Sequence, residues 1–373
     1  MELLRLPLPL LPVPGEVTTF YSYKGGVGRT MALANLALML ARRGGPPVLM
    51  VDWDLEAPGL HYYFPAAQDG PGLLELFEAC RAELQQRAGQ YPSSEALAHA
   101  VLDAVNWEQY LVRAHYHRPL WLLRAGRCDD SHAERAAELD WQGLFDACPA
   151  LFRTFAARLA RHFGHVLVDA RSGRADSAAI CTTLLPTRLA LVFAPNRQNL
   201  DGLAALVLRA TSYRLSHEDE QRPLLIYPLP SRIEAGDEAQ RTLWRRGDAA
   251  GAVEGYQPLF ERALAEAYGF PSLSLEAYFD EVQLQQCASL TCGEPLPALA
   301  EQAPDRLSLL RGYSAFLGWF RDGWCPWQAR PGVALAAVPA TGASLHAPLP
   351  LEQERAGYWR PHPNGSATLP ATT

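Results

Sequence analysis

The stretch of sequence that decides the fold is Tyr23-Lys24-Gly25-Gly26-Val27-Gly28-Arg29-Thr30. It follows an apolar run that begins at Val17, and it precedes a helical pattern that begins at Met31. A strand, a glycine-rich loop and a helix in this order form a phosphate-binding loop, because successive backbone N–H groups and the helix N-terminus converge on an anion. The sequence therefore predicts a site for a polyphosphate.

Lys24 is the only lysine among the 33 basic residues of the chain. An ammonium group is a compact point charge, whereas a guanidinium group is a planar fork. Lysine at this one position, in a chain that otherwise uses arginine, indicates a task that arginine performs poorly. The alternative is that composition drift left one lysine behind, but that does not explain the glycine-rich loop beside it.

Composition limits the classes of function. The 373 residues suffice for one large domain or two ordinary ones, and 49% of them are hydrophobic, as in a globular protein with a substantial core. The net charge of −7 argues against a general nucleic-acid-binding surface. The seven cysteines contain no C-x-x-C pair, so we expect neither a zinc ribbon nor a disulfide framework. The apolar N-terminal stretch is too short and too rich in proline for a signal peptide, so a reducing cytoplasm is the expected compartment.

Short apolar runs alternate with helical patterns along the chain. This alternation predicts an α/β fold in which a mostly parallel sheet is covered by helices on both faces, with ligands at the carboxyl ends of the strands. The predicted strands are Val17–Tyr23, Val48–Val51, Leu120–Leu123, Val166–Val168, Leu189–Phe193 and Leu224–Tyr227. The predicted helices are Met31–Arg43, Leu73–Gln90, Leu151–His162, Leu200–Arg214 and Asp305–Arg321.

The chain divides into three predicted parts. Residues 1–16 form an N-terminal extension, residues 17–325 form the α/β domain, and residues 326–373 form a tail rich in proline and alanine that we expect to be disordered. Within the domain, residues 65–119 are predicted to be a helical insertion without a strand.

The glycine-rich loop departs from the standard phosphate-loop pattern G-x-x-x-x-G-K-[ST] at two positions. Tyr23 replaces the first glycine and Arg29 replaces the lysine. The loop instead resembles the deviant phosphate loop of the ParA/MinD family of ATPases, K-G-G-x-G-K-[ST], and it is most similar to a subgroup in which the second lysine is arginine. The resemblance extends over roughly Val17 to Arg321 and rests on several ordered motifs. It implies the P-loop NTPase fold of that family, with ATP and Mg²⁺ as cofactors.

The resemblance implies a role for each residue of the loop. The Thr30 hydroxyl would ligate Mg²⁺, which prefers oxygen ligands. Lys24 would act catalytically across an ATP-dependent homodimer, supplying charge to the phosphoryl group of the partner's nucleotide as an arginine finger does. The Arg29 guanidinium can pair with phosphate oxygens, but its bulk predicts slow or conditional hydrolysis. The residues implied in nucleotide binding are Lys24, Gly25, Gly26, Val27, Gly28, Arg29, Thr30 and Met31.

Two acidic segments follow predicted strands. Asp52 and Asp54 are two positions apart and therefore face the same side of an extended chain, which suits metal and water chemistry. A solvated acidic turn is the alternative, because Pro58-Gly59 follows closely. By resemblance, Asp54 would be the catalytic residue that orients the attacking water, Asp52 would support the metal, and Asp169 would hold Mg²⁺ through water.

Three further residues complete the predicted nucleotide site. Arg171 is a candidate for a contact with the γ-phosphate or across the dimer, and the alternative is a structural ion pair with Asp52 or Asp54. The loop after the strand that ends at Tyr227 holds the base in the family. Backbone groups near Pro230 would read adenine and Arg232 would stack on the ring, although the usual asparagine is absent.

These expectations describe an ATP-dependent dimerising switch that hydrolyses ATP slowly to control a protein partner, as in bacterial signalling or conflict systems. The alternative is a nucleotide-binding scaffold with negligible hydrolysis. A reductase like the nitrogenase iron protein would hold a [4Fe–4S] cluster with two cysteines per subunit, but its motifs are absent around Cys128 and Cys181. Residues 326–373 show no basic amphipathic helix, so we do not expect a membrane as partner. The overall acidity of the chain disfavours a nucleic acid as partner.

Overall fold

The computed structural model describes residues 8–64, 70–217, 223–234, 236–248, 250–290, 293–300 and 308–328. The strands in this part of the chain are Glu16–Tyr21 (β1), Val48–Asp52 (β2), Leu111–His115 (β3), Leu120–Leu123 (β4), His165–Asp169 (β5), Arg188–Phe193 (β6) and Leu225–Pro230 (β7). They form one sheet in the order β3-β4-β2-β5-β1-β6-β7. Neighbouring strands are parallel except at the edge, where β3 runs antiparallel to β4.

Helices connect the strands, as the right-handed crossovers between parallel strands require. Short π and 3₁₀ segments lie at Ile180–Leu184, Trp107–Tyr110 and Ala288–Leu290. The α-helices of the described residues are Arg29–Arg42 (α1), Leu60–Tyr63 (α2), Leu73–Arg87 (α3), Ser94–Val105 (α4), His132–Glu138 (α5), Trp141–Ala147 (α6), Leu151–Ala160 (α7), Asp176–Ala179 (α8), Arg197–Ser216 (α9), Glu238–Arg246 (α10), Tyr256–Tyr268 (α11), Glu276–Glu281 (α12), Pro297–Ala300 (α13) and Leu309–Phe320 (α14).

The centre of the sheet forms the core. Strands β2, β6 and β7 are buried along their whole length, because helices cover both faces and the strands are almost uniformly apolar. Helix α1 contributes the fully buried Ala32, Ala34 and Ala37, whose small side chains let the helix lie close to the sheet. This packing fixes the start of α1, and with it the glycine-rich loop, at the carboxyl end of β1.

An aromatic cluster anchors the chain just beyond β2. The Trp53 indole is buried, and its ring centroid lies 5.3 Å from that of Phe77, 5.6 Å from Trp141 and 6.4 Å from Phe155. Side chains alternate in direction along an extended chain, so burial of Trp53 on one side turns its two acidic neighbours to the other. The aromatic cluster thus orients the carboxylates that follow β2.

The fold class predicted from the sequence is confirmed, and each predicted strand lies within a few residues of an observed one. The expectation that residues 65–119 lack a strand is wrong, because β3 lies at Leu111–His115. This edge strand carries Arg113 and His115 among apolar residues and is only half buried, so it lacks the continuous apolar run typical of the central strands. Residues 65–69 lie outside the described part of the chain.

Residues on either side of the predicted domain boundaries contact the domain. In the N-terminal extension, the N–H groups of Leu11 and Gly15 donate to the carbonyls of Arg161 and Ala160 at the end of α7. Near the other end, the ring centroid of Trp327 lies 4.8 Å from that of Tyr268. Residues 1–7 and 329–373, including nearly all of the predicted tail, lie outside the described residues. None of the helices in the described ranges combines the length and apolarity needed to cross a membrane.

Candidate functional site

The glycine-rich loop has the backbone geometry that its sequence requires. Gly26 and Gly28 adopt left-handed φ angles of 76° and 86°, which glycine tolerates far better than residues with a Cβ atom. Helix α1 begins at Arg29 and carries no acidic residue in its first turn. Its N-terminus therefore keeps the positive end of the helix dipole unopposed by its own side chains, as an anion-binding loop needs.

A cleft of about 400 Å³ opens over the loop at the carboxyl ends of the strands. Of the residues predicted to bind nucleotide or act in catalysis, those that line it are Gly25, Gly26, Gly28, Arg29, Thr30, Met31, Asp54 and Arg232. Lys24 is exposed to solvent beside the cleft, and Val27 is buried beneath it. The cleft thus brings the loop together with the acidic segment after β2 and the segment after β7.

The Arg29 guanidinium was predicted to pair with phosphate oxygens, but in the structure it contacts two carboxylates. Its Nε donates to Asp169 Oδ1 at 2.5 Å and its Nη2 donates to Asp54 Oδ2 at 2.9 Å, while the side chain is only 9% exposed. Burial by itself lowers the pKa of Arg29, but the charges of Asp169 and Asp54 more than offset this and raise it above its usual value. The guanidinium therefore has carboxylate partners where the sequence predicted phosphate oxygens.

Asp52 and Asp169 lie side by side at the ends of β2 and β5, where they are register partners. Asp169 also accepts a hydrogen bond from Thr30 Oγ1 at 2.7 Å. Asp52 Oδ2 accepts from the N–H groups of Gly59 at 3.1 Å and Leu60 at 3.0 Å. Burial and the nearby charge of Asp169 raise the pKa of Asp52, and burial also raises the pKa of Asp169 although Arg29 opposes that shift. The two carboxyl groups therefore lie next to each other in a place that solvent does not reach.

The donor set around this pair fits a hard divalent cation. The Asp52 Oδ1 atom is buried and has no hydrogen-bond partner, and the Thr30 hydroxyl and the Asp169 carboxylate supply oxygens nearby. Mg²⁺ prefers such oxygens and retains several waters. No group of three His, Cys, Asp or Glu side chains in the described ranges is arranged to hold a metal by itself, so Mg²⁺ would need further oxygens from phosphate and water.

Arg171 forms an ion pair with Glu56, through its Nη1 and the glutamate Oε1. The predicted alternative, an ion pair with Asp52 or Asp54, is therefore wrong in its partner. Both side chains line a second depression of about 550 Å³ beside the cleft. The Tyr21 hydroxyl donates to the carbonyl of Gly173 at 3.0 Å, so the segment after β5 is tied both to the segment after β2 and to the sheet.

The segment after β7 closes the other side of the cleft. Arg232 adopts a positive φ of 59°, and its Nη2 donates to the Gly26 carbonyl at 2.8 Å, while its Nη1 donates to Gln286 Oε1 at 3.3 Å. Pro230 is buried within β7, does not line the cleft, and accepts a hydrogen bond from the Leu284 N–H at 2.9 Å. Of the two residues predicted to contact adenine, only Arg232 borders the cleft.

Two parts of the site were missed in the sequence. Ser231 Oγ donates to the Val27 carbonyl at 2.8 Å and so ties β7 to the glycine-rich loop. Its place directly after a buried strand was the available signal. The segment 285–290, which also lines the cleft, has no periodicity or motif that could have marked it. It reaches the cleft because its backbone pairs with Ile233, a contact between residues more than fifty positions apart.

The two cysteines considered for an iron–sulfur cluster have different environments. Cys128 is exposed, whereas Cys181 is 0% exposed, and burial raises the pKa of its thiol well above the usual value. A cluster shared between two subunits needs thiolates at the surface. The burial of Cys181 therefore argues against the reductase alternative.

No protein-family model and no curated protein matches the sequence. Solved structures to which the chain is similar include the cell division ATPase MinD of Pyrococcus furiosus, with 17% identity and a TM-score of 0.46 over 82% of this chain and 99% of that one. A ParA family ATPase from Chlorobium tepidum has 15% identity and a TM-score of 0.46 over 82% and 98% of the two chains. McdA of Cyanothece, in a complex with ATP, has 16% identity and a TM-score of 0.43 over 70% and 98%.

Proposed function

We propose that this protein binds ATP with Mg²⁺ at the glycine-rich loop and works as an ATP-dependent dimerising switch. The observation that carries the proposal is the loop itself. It joins the central strand β1 to α1, turns through left-handed Gly26 and Gly28, and shares one cleft with Asp54. Asp169 is buried beside the loop and accepts a hydrogen bond from the Thr30 hydroxyl. This is the arrangement that a nucleoside triphosphate and its metal require.

Each part of the cleft has a role in this proposal. The backbone N–H groups of residues 25–30 bind the phosphates, and Met31 and Arg232 border the base. Arg171 is proposed to reach a phosphate or the second subunit once its ion pair with Glu56 opens. Lys24 is exposed and has no hydrogen bond or ion pair within the described residues, so it is free to reach the nucleotide of a second subunit.

Thr30, Asp52 and Asp169 are the residues that would hold Mg²⁺, which when bound offsets the negative charge of the phosphates. Asp54 is proposed to accept a hydrogen bond from the attacking water. Its Oδ2 is already bonded to Arg29 and its Oδ1 accepts from the Ala57 N–H at 3.3 Å, so the carboxylate is not free in this arrangement. We therefore propose slow or conditional hydrolysis. The same contacts favour the second candidate, a nucleotide-binding scaffold with negligible turnover.

The switch would act on a protein partner in the cytoplasm. ATP would close a homodimer around two nucleotides, the closed form would bind the partner, and hydrolysis would release it. A bacterial signalling or conflict system is the setting that we propose, on the resemblance of the loop to its subgroup.

Nucleotide binding is tested by thermal unfolding. Millimolar ATP with Mg²⁺ should raise the melting temperature, because a ligand that binds only the folded state stabilises it by about 2.7 kcal/mol at a hundred times its Kd. GTP should raise it less, and adenosine should leave it unchanged, because the loop binds phosphates. An unchanged melting temperature in millimolar ATP and Mg²⁺ would contradict the proposal.

A further inference from the structure

We infer that Arg29 occupies the place of a divalent cation, acting as the internal counter-ion of Asp54 and Asp169 until Mg²⁺ displaces it. The inference deepens the proposed function, because it names what regulates access of the metal to the site. Arg29 would act indirectly, by holding the carboxylates of Asp54 and Asp169 in place.

The Arg29 side chain is bonded to carboxylates at a position where a phosphate-binding side chain is expected. The sequence places this residue where a phosphate-binding side chain is expected, yet both of its bonded nitrogens are directed at carboxylates. The side chain is almost completely buried, so this is not a solvated surface pair that exchanges freely with water. A planar guanidinium can reach two carboxylates at once, which a single ammonium does less well.

The buried carboxyl groups of the site need a positive counter-charge. Asp52, Asp54 and Asp169 are all buried, and burying a carboxylate without a counter-charge is costly. Within the described residues, Arg29 is the only arginine or lysine that forms an ion pair with any of the three. Without Arg29, these carboxyl groups must take up protons or bind another cation, and Mg²⁺ is a cation that suits their oxygens.

Arg29 and Mg²⁺ would compete for the Asp169 carboxylate. Its Oδ1 accepts from Arg29 Nε and its Oδ2 accepts from the Thr30 hydroxyl, so both carboxylate oxygens are engaged. A cation that approaches Asp169 meets the like charge of the guanidinium. Binding of Mg²⁺ therefore has to move Arg29 away, and this movement also releases Asp54. Arrival of the metal would thereby free the carboxylate that is proposed to orient water.

The test uses Mg²⁺ alone, without nucleotide, on the full chain. In EDTA, Arg29→Met should melt several degrees below the wild type, and millimolar Mg²⁺ should restore much of that loss. The wild type should respond little, because Arg29 already fills the place. We expect Mg²⁺ to bind the variant about tenfold more tightly or better, because the variant lacks the positive charge that opposes a cation at Asp169.

Arg135→Met is the matched control. Arg135 also bridges two carboxylates, since its Nη2 lies 3.1 Å from Glu75 Oε1 and its Nε lies 3.0 Å from Glu78 Oε1, but it lies away from the cleft. Its loss should destabilise the protein without creating a response to Mg²⁺. If Arg29→Met and Arg135→Met respond to Mg²⁺ equally, the inference is wrong.

A second variant covers the case in which Arg29→Met does not fold. Arg29→Met/Asp54→Asn removes one carboxylate together with the guanidinium, so it should fold and still gain stability from Mg²⁺ through Asp169. If Mg²⁺ does not raise the melting temperature of the double variant, the inference is wrong. Because no nucleotide is added, these results are independent of the ATP titration. A wild type that fails to bind ATP refutes the proposed function and leaves the cation measurement standing.

Discussion

Gly26 combines a left-handed backbone conformation with open space. Its φ of 76° is left-handed, and a Cβ atom built on it would meet no atom within 4 Å. Because Gly26 lines the cleft, an added methyl group would come close to any phosphate bound there. The residue is therefore a direct probe of whether the loop backbone binds phosphate.

Gly26→Ala should abolish ATP binding or weaken it severely. Gly89→Ala is the matched control, because Gly89 has a φ of 71° and equally open surroundings, but it lies in an exposed turn after α3. Both substitutions should cost roughly 1–2 kcal/mol of unfolding free energy from left-handed strain, measured by denaturant unfolding. Only Gly26→Ala should change the ATP affinity measured by calorimetry. Equal affinities in the two variants would show that phosphate does not approach this backbone.

At the scale of elements, strand β5 begins with a half-buried histidine, His165. Burial, followed by the positive charge of Arg188, lowers the pKa of His165 to about 4. Its Nδ1 atom is buried without a hydrogen-bond partner, and the ring centroid lies 6.2 Å from that of Phe320. Glu16 partly opposes the shift and Arg321 adds to it. The strand thus begins with an imidazole that stays neutral in the folded chain at neutral pH.

This histidine should make stability depend on pH. In the unfolded chain His165 binds a proton near pH 6.5, whereas in the folded chain it does so only near pH 4. The unfolded state therefore binds more protons between these values, and stability falls as the pH drops through this window. The loss attributable to His165 is up to roughly 3 kcal/mol, at about 1.4 kcal/mol per pKa unit.

His165→Leu should lose less stability between pH 7 and pH 5 than the wild type does, as measured by urea unfolding. The apolar side chain has no imidazole to charge, and it suits the contact with Phe320. His117→Gln serves as the control, because His117 is exposed in the turn between β3 and β4. A wild type and a His165→Leu variant with the same pH dependence would show that the ring is already solvated.

The elements differ in how well the sequence predicts them. Central strands and α1 were predicted because burial on both faces leaves an uninterrupted apolar run that no loop would carry. The half-buried edge strand β3 gives no such signal. The resemblance assigned Asp52 and Asp169 to one metal site, and the sequence placed both at the carboxyl ends of predicted strands. In the structure they are register partners at the ends of β2 and β5.

Other features of the site depend on side-chain geometry that sequence patterns do not contain. Nothing in the glycine-rich loop indicates whether the Arg29 guanidinium turns towards phosphates or towards Asp54 and Asp169. The direction depends on which buried charges lack a partner once the sheet has formed. The segment 285–290 likewise reaches the cleft only through its backbone pairing with Ile233, which local sequence cannot indicate.

At the scale of the whole molecule, the exposed position of Lys24 matters most. The rest of the loop can bind a nucleotide within one subunit, but Lys24 does not line the cleft of its own chain. A contact with the nucleotide of a second subunit would explain this exposure. Under the proposed function, ATP binding would then change the assembly of the protein as well as the occupancy of its site.

Amine labelling of Lys24 tests this central claim most directly, because this side chain and the α-amino group are the only amines of the chain. The N-terminal peptide is scored separately by mass spectrometry, and labelling is measured with Mg²⁺ and a slowly hydrolysed ATP analogue at several protein concentrations. We predict that Lys24 is protected when the protein is concentrated and labelled freely when dilution keeps the subunits apart. Protection that does not depend on protein concentration would contradict the dimerising switch, because Lys24 would then bind the nucleotide of its own subunit.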